Sequence, residues 1–399
     1  MNGVADGTTP LIFLIAGEPS GDLLGARLMA ALKKQTGGAV RFAGVGGERM
    51  EHEGIESIFP MEDLSVFGLV EVLRHAPRVL RRVRDSADAV KAARPDVVVT
   101  IDVPSFSFRV AKLLKGAGIP LIHCVAPQVW AWRPRRARML TRLLDHLLVL
   151  LPFEPPYFEA VGLPCTLIGH PIVEFGADKG DGTDFRVRHG IPPEAPVLSI
   201  LPGSRGTEVS RLLPVFGETL HRLVAEFPGL RGVVPVVAAV KEEVAAAAAG
   251  WPIPITLVEG EAEKYNAFAA STAALNASGT VTLELALAKV PTVVAYKLSP
   301  LTAWVGRRMV KVPYVTVVNL ILGRKLLPEF VQEHCTPPLL AAAVAHLLRD
   351  EQARRAQIDG TRDVLRQLGL GQRPPSELGA EVILRHVEGF DNGECRAKA

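Results

Sequence analysis

The chain has 399 residues, 48% hydrophobic and 22% charged, with a formal net charge of +3. That length suits roughly two to three domains with ample buried core. So small a net charge excludes a general nucleic-acid binder. Cys124, Cys165, Cys335 and Cys395 are scattered without CxxC or zinc-like spacing, which fits a reducing, cytoplasmic setting. No basic leader precedes a long apolar run, and no apolar stretch reaches the ~18 residues of a membrane span. The expectation is a protein that is soluble or lies on a membrane surface.

Leu11–Ala16 is a wholly apolar strand, followed by the turn Gly17-Glu18-Pro19-Ser20-Gly21-Asp22 and a helix over Leu23–Lys33. The same alternation recurs through Val40–Val45, Val97–Ile101, Leu121–Val125, Leu147–Leu151 and Thr166–Ile168. Strands without polar alternation, separated by helical stretches, predict a parallel sheet covered on both faces. Neither Gly17, Gly21 and Gly25 nor Gly44, Gly46 and Gly47 have the GxGxxG spacing of a dinucleotide site, which argues against NAD. Glu18, Ser20 and Asp22 follow a first strand, where open α/β sheets place ligands; as caps of the next helix they would do nothing more.

Over Gly68–Arg84, Val72, Leu73 and other apolar residues alternate with Arg74, Arg78, Arg81, Arg82 and Arg84. Such a helix either lies at a membrane interface or covers a core with a solvated outer face. Pro77 interrupts the run and leaves room for two short helices in place of one. Val97–Ile101 then delivers Asp102, either a helix cap or a general base. Further on, Trp130 and Trp132 flank Arg133, and a helix opened by Pro134 would line up Arg135, Arg138 and Arg142. That face either attracts anionic headgroups or sugars, or is plain surface.

The first series closes at Ile168–Pro171, and the polar, Gly- and Pro-rich run after it predicts a linker. A second series follows with strands Val197–Leu201, Val233–Ala238, Ile255–Val258, Ala273–Leu275 and Thr292–Tyr296. Gly203, Ser204 and Arg205 leave its first strand, and a guanidinium there can grip a diphosphate. Ser278, Gly279 and Thr280 open a helix start, either as an ordinary cap or as a phosphate cradle. Glu284 lies one turn on, placed to accept from a ribose. Asn319 interrupts an apolar run, and past Thr336 the chain is helical.

In this order, AGEPSGD (Ala16–Asp22), VGG (Val45–Gly47), IDVPSF (Ile101–Phe106), VWAWR (Val129–Arg133), LPFE (Leu151–Glu154), IGHP (Ile168–Pro171), LPGSR (Leu201–Arg205), ASGTVTLE (Ala277–Glu284) and VNL (Val318–Leu320) are specific. Over about Leu11 to Leu348 the chain resembles the lipid-A-disaccharide synthase family of glycosyltransferases. The resemblance implies a GT-B fold, two Rossmann-like doubly wound domains facing a central cleft. The implied limits are 1–172 for the acceptor and membrane-facing domain, 173–196 for the linker and 197–348 for the UDP-sugar domain. Helices over 349–399 would cross back or swap within a homodimer.

The implied reaction joins UDP-2,3-diacylglucosamine to 2,3-diacylglucosamine 1-phosphate with inversion, without a metal or other cofactor. Asp102 would be the base, with Glu18 or Asp22 next in line. Glu18, Ser20 and Asp22 would shape the acceptor side. Gly203, Ser204, Arg205, Ser278, Gly279, Thr280, Glu284 and Asn319 would bind the donor. Val72, Leu73, Arg78, Arg81, Arg82, Trp130, Trp132 and Arg133 would touch the cytoplasmic surface of the inner membrane or the acyl chains. Related enzymes of other activity, a peptidoglycan-lipid GlcNAc transferase or a UDP-GlcNAc epimerase, and a non-catalytic nucleotide-sugar binder are the alternatives. Pro19, Cys124 and Ala126 depart from the family pattern.

Overall fold

The apolar runs become the central strands of two sheets, each of six parallel strands. The computed structural model describes residues 9–64, 69–128, 137–299, 302–304, 308 and 312–387, with backbone only for 69–76. The chain divides into unit 1, residues 1–171 with 371–399, and unit 2, residues 172–370.

Unit 1 holds β1 (Leu11–Ala16), β2 (Arg41–Val45), β3 (Val97–Ile101), β4 (Leu121–Cys124), β5 (His146–Val149) and β6 (Cys165–Leu167), in the order β2-β1-β3-β4-β5-β6. Its helices are α1 (Pro19–Gln35), α2 (Glu48–His52), α3 (Leu69–Ala93), α4 (Pro104–Leu114), α5 (Ala137–Leu140) and α6 (Pro155–Glu159). Every residue of β3 is buried, as expected for a strand covered on both faces. On one side Phe13, Ile15 and Val98 pack with Val83, Ala87 and Val90 of α3 and Phe106 and Val110 of α4. Pro77 lies inside α3, which continues through it as one helix rather than two. A proline removes one ladder bond, and beyond it Val83, Ala87 and Val90 pack the later turns of α3 into the core.

Unit 2 holds α7 (Gly182–Arg188), β7 (Val197–Leu201), α8 (Gly206–Val224), β8 (Arg231–Pro235), α9 (Lys241–Ala248), β9 (Ile255–Val258), α10 (Glu261–Ala270) and β10 (Ala273–Ala277). It continues with α11 (Val281–Leu287), β11 (Thr292–Tyr296), α12 (Val317–Leu322), β12 (Glu329–Val331), α13 (Pro337–Arg349) and α14 (Glu351–Gln367), and the sheet order is β12-β11-β10-β7-β8-β9. Residues 173–196, expected as a linker, belong to this unit. Phe185 of α7 is fully buried, and the Arg186 guanidinium donates to the carbonyls of Pro192, Ala195 and Ala270 at 2.8–3.0 Å. The chain returns to unit 1 with α15 (Pro375–Leu384). There Lys34 of α1 meets Glu377 Oε1 at 2.7 Å, and Gln35 donates to the Glu377 carbonyl at 2.7 Å.

Candidate active site

Ligands of open parallel sheets sit beyond the carboxyl ends of two neighbouring strands whose connections leave in opposite directions. In unit 1 these are β1 and β3, since β1 leads to β2 on one side and β3 leads to β4 on the other. The loop after β1 carries Gly17 and Glu18, and the loop after β3 carries Asp102. The loops touch: a Cβ on Gly17 would lie 2.8 Å from Val103 Cγ2, so glycine is what lets them close up.

Asp102 and Val103 both have left-handed backbone, with φ of 53° and 43°. For a β-branched residue such as Val103 this is a strained state, of a kind that clusters at functional sites. Val125, just past the end of β4, is left-handed too, with φ 77°. Tertiary bonds hold the bend: Asp102 N–H donates to the Cys124 carbonyl at 2.9 Å, and Ser107 Oγ donates to the Asp102 carbonyl at 2.8 Å. The carboxylate accepts from Val103 N–H at 2.8 Å through Oδ1. Burial raises its pKa above the ordinary carboxylate value, and that hydrogen bond opposes the rise. Deeper in β3 and β4, Thr100 Oγ1 and His123 Nδ1 are 2.7 Å apart, and burial pushes the imidazole down to about 3. Full burial thus favours the neutral imidazole at His123.

Of the other three acceptor-side candidates, Asp22 is placed differently. Glu18 is half-buried at the start of α1 and Ser20 is exposed. Asp22 is only 5% exposed. Its Oδ1 accepts from Gly47 N–H at 2.8 Å and Met50 N–H at 3.1 Å, and its Oδ2 from Arg49 N–H at 3.1 Å. The carboxylate caps the unpaired amides opening α2, the work of a structural clamp.

In unit 2 the corresponding position lies between β7 and β10. Gly203, Ser204 and Arg205 follow β7; exposed Gly279 and Thr280, with half-buried Ser278, follow β10. Arg205, 57% exposed, reaches Glu208 Oε1 at 3.3 Å. Gly203 has φ 120°, and a Cβ there would meet Glu208 Oε2 at 2.8 Å. Glu284 sits in the first turn of α11 with its Oε2 2.7 Å from Lys264 Nζ. Neither Glu208 nor Lys264 stood out in the sequence: each is one charged residue on a polar helix, and only tertiary placement brings it to the loops.

Asn319 does not line this site. It is fully buried, its Nδ2 donating to the Leu327 carbonyl at 2.9 Å and to Glu329 Oε1 at 2.8 Å. Its Oδ1 accepts from Leu326 and Leu327 N–H at 2.9 and 3.0 Å. All four amide bonding positions are engaged, and the residue pins α12 to the loop before β12.

Of the expected membrane contacts, Trp130, Trp132 and Arg133 lie outside the described residues, as do the side chains of Val72 and Leu73. Arg78 and Arg81 are exposed. Arg82 is bound within the protein: its guanidinium meets Asp63 at 2.7 Å and Asp85 at 3.1 Å and lies 4.6 Å from the Phe59 ring centre. It ties α3 to the preceding loop and is not a headgroup contact.

A family model described as lipid-A-disaccharide synthetase matches residues 12–382. The chain belongs to the lipid-A-disaccharide synthase family. A relative named lipid-A-disaccharide synthase from Rhodospirillum centenum is 58% identical over 379 residues, covering 94% of each chain. Another of that name, from Paramagnetospirillum magneticum, is 50% identical over 381 residues, covering 94% of this chain and 97% of the relative. The crystal structure of UDP-GlcNAc 2-epimerase from Neisseria meningitidis bound to UDP-GlcNAc aligns with a TM-score of 0.67 over 94% of this chain and 100% of that one. At 12% identity that likeness shows the shared two-sheet fold alone. Membership of the lipid-A-disaccharide synthase family, not the epimerase likeness, decides between the functional readings. No described helix is long and apolar enough to cross a membrane.

Proposed function

We propose that the chain is a glycosyltransferase of lipid A biosynthesis, joining UDP-2,3-diacylglucosamine to 2,3-diacylglucosamine 1-phosphate to give the lipid A disaccharide 1-phosphate and UDP. The observation that carries this reading is the family match over residues 12–382. The site chemistry is consistent with it. Asp102, at the unit 1 switch point, takes the proton of the acceptor 6-hydroxyl as that oxygen bonds to the donor's anomeric carbon. The bond from that carbon to UDP breaks on the opposite face, its electron pair leaving with UDP, and the configuration inverts. Glu18 and Ser20 border the acceptor. In unit 2, Arg205 in its loop with Gly203 and Ser204, and the backbone amides of Ser278, Gly279 and Thr280, take up the charge on the departing diphosphate. Glu284 accepts from the ribose.

The test is incubation with both substrates. Disaccharide and UDP are expected in equal amounts, and UDP release should require the acceptor. Nucleotide binding without release, or UDP release from UDP-GlcNAc alone, would overturn the assignment.

Both substrates carry acyl chains, and with them goes the reading of a protein that lies on the cytoplasmic face of the inner membrane. Arg81 on α3, and Arg78, exposed although its guanidinium also reaches Asp63 at 3.6 Å, are the described residues suited to anionic headgroups. Replacing both with glutamate should release the protein from anionic vesicles by about tenfold or more, at roughly 1 kcal/mol per basic residue lost near the surface. Arg82→Ala, by contrast, should lower thermal stability and leave vesicle binding in place. Sedimentation of the pair variant with vesicles as efficiently as the parent would end this membrane reading. A homodimer that exchanges α14 and α15 would reuse the contacts of α15 on α1 between copies.

A further inference from the structure

Glu284 is held before any ligand arrives. Lys264 of α10 places Nζ 2.7 Å from Glu284 Oε2, with the two side chains 24% and 12% exposed. The same ammonium lies 4.7 Å from the centre of the Tyr265 ring, a second favourable contact. No other described residue bonds to the Glu284 carboxylate.

The pair is not needed to join the two helices. Phe268 of α10 and Leu285 and Ala286 of α11 already share one buried cluster, whereas a partly exposed ion pair adds little stability. What the pair does is fix a carboxylate that would otherwise rotate about three bonds. An unheld glutamate must be ordered when it binds, at a cost in side-chain entropy. The ammonium engages Oε2 by charge at 2.7 Å, without hydrogen-bond alignment, and the lone pairs of Oε1 remain for hydroxyl donors.

We propose that Lys264 is a positioning residue for the nucleotide, holding Glu284 so that Oε1 meets the ribose 2′-hydroxyl and sets the preference for a ribonucleotide over a 2′-deoxynucleotide. This rests on Glu284 as the ribose acceptor, and the experiment separates the two ideas. Lys264 keeps its own donors on the carboxylate and the ring, so its removal should weaken binding only through the sugar hydroxyl.

Calorimetry on the full chain with UDP and with 2′-deoxy-UDP provides the readout. The parent should prefer UDP by about tenfold, one charge-assisted hydrogen bond. In Lys264→Met the affinity for UDP should fall to near that for 2′-deoxy-UDP, whose own affinity stays put; Lys264→Arg should restore most of the preference. If Lys264→Met weakens both ligands alike, Lys264 touches phosphate or base, or acts through the fold, and the proposal is wrong. If Lys264→Met keeps the full preference while Glu284→Gln abolishes it, the ribose role stands and the role of Lys264 falls. If Glu284→Gln also keeps the preference, the ribose reading itself fails and takes this one with it.

Discussion

Asp102→Asn is expected to bind UDP as tightly as the parent and to lose ~10² to 10⁴ in turnover, the usual contribution of a general base. The substitution is suited to this test because little else changes. Asparagine is nearly isosteric, tolerates left-handed backbone better than most residues, and its carbonyl oxygen can still accept from Val103 N–H, now 2.8 Å from Oδ1. The sign of the stability effect is opposite. Burial raises the folded-state pKa of Asp102, so at pH values above the ordinary carboxylate range the ionised group costs the fold stability. That cost is relieved as pH falls and the folded protein takes up the proton. The Asn variant should therefore melt no lower than the parent at neutral pH, while its activity nearly vanishes. The raised pKa also moves the acid limb of the parent's rate profile upward, because only the carboxylate form accepts the proton. Near-normal turnover in the Asn variant would transfer the base role to Glu18.

Much of this was legible from the apolar runs. Strands such as Val97–Ile101 have no polar alternation because helices cover both faces of the sheet, and the end of each run marks the edge where Asp102, Arg205 and Ser278 stand. Shorter edge elements were not legible. Glu329–Val331 has three residues, all partly exposed and opened by a glutamate, and offers no periodicity to read. The stretch 173–196 reads as a linker because its glycines, prolines and charges are those of a loop. Its few buried residues, Ala177, Phe185, Ile191 and Ala195, are spaced without a period to read. Asn319 and Arg82 are paired inside the fold, and only the fold, not the sequence, tells whether a polar residue has such partners. Nor could a sequence reveal the left-handed bend at Asp102 and Val103, since valine is among the last residues expected there.

Asp22→Ala should unfold unit 1 at markedly lower temperature while leaving nucleotide binding by unit 2 intact. Three backbone amides, from Gly47, Arg49 and Met50, converge on this carboxylate. Deleting it strands them at a helix start that is partly or wholly closed to water. Charge-assisted bonds contribute more than neutral ones, and unpaired amides add their own penalty, so a loss of roughly 3 to 5 kcal/mol is expected, with a melting shift of about 10 °C for a domain of this size. The glycine pair of the VGG motif belongs to the same device. A Cβ on Gly47 would lie 2.9 Å from Asp22 Oδ2 and 2.9 Å from Met61 Cε, so only glycine brings its amide this close. Asp22→Asn should fall between parent and Ala, because one carbonyl oxygen accepts what two carboxylate oxygens did. A carboxylate that touched the acceptor would behave the other way, losing turnover in the Asn variant at unchanged melting temperature. That outcome would return Asp22 to the acceptor site and leave the capping of α2 incidental.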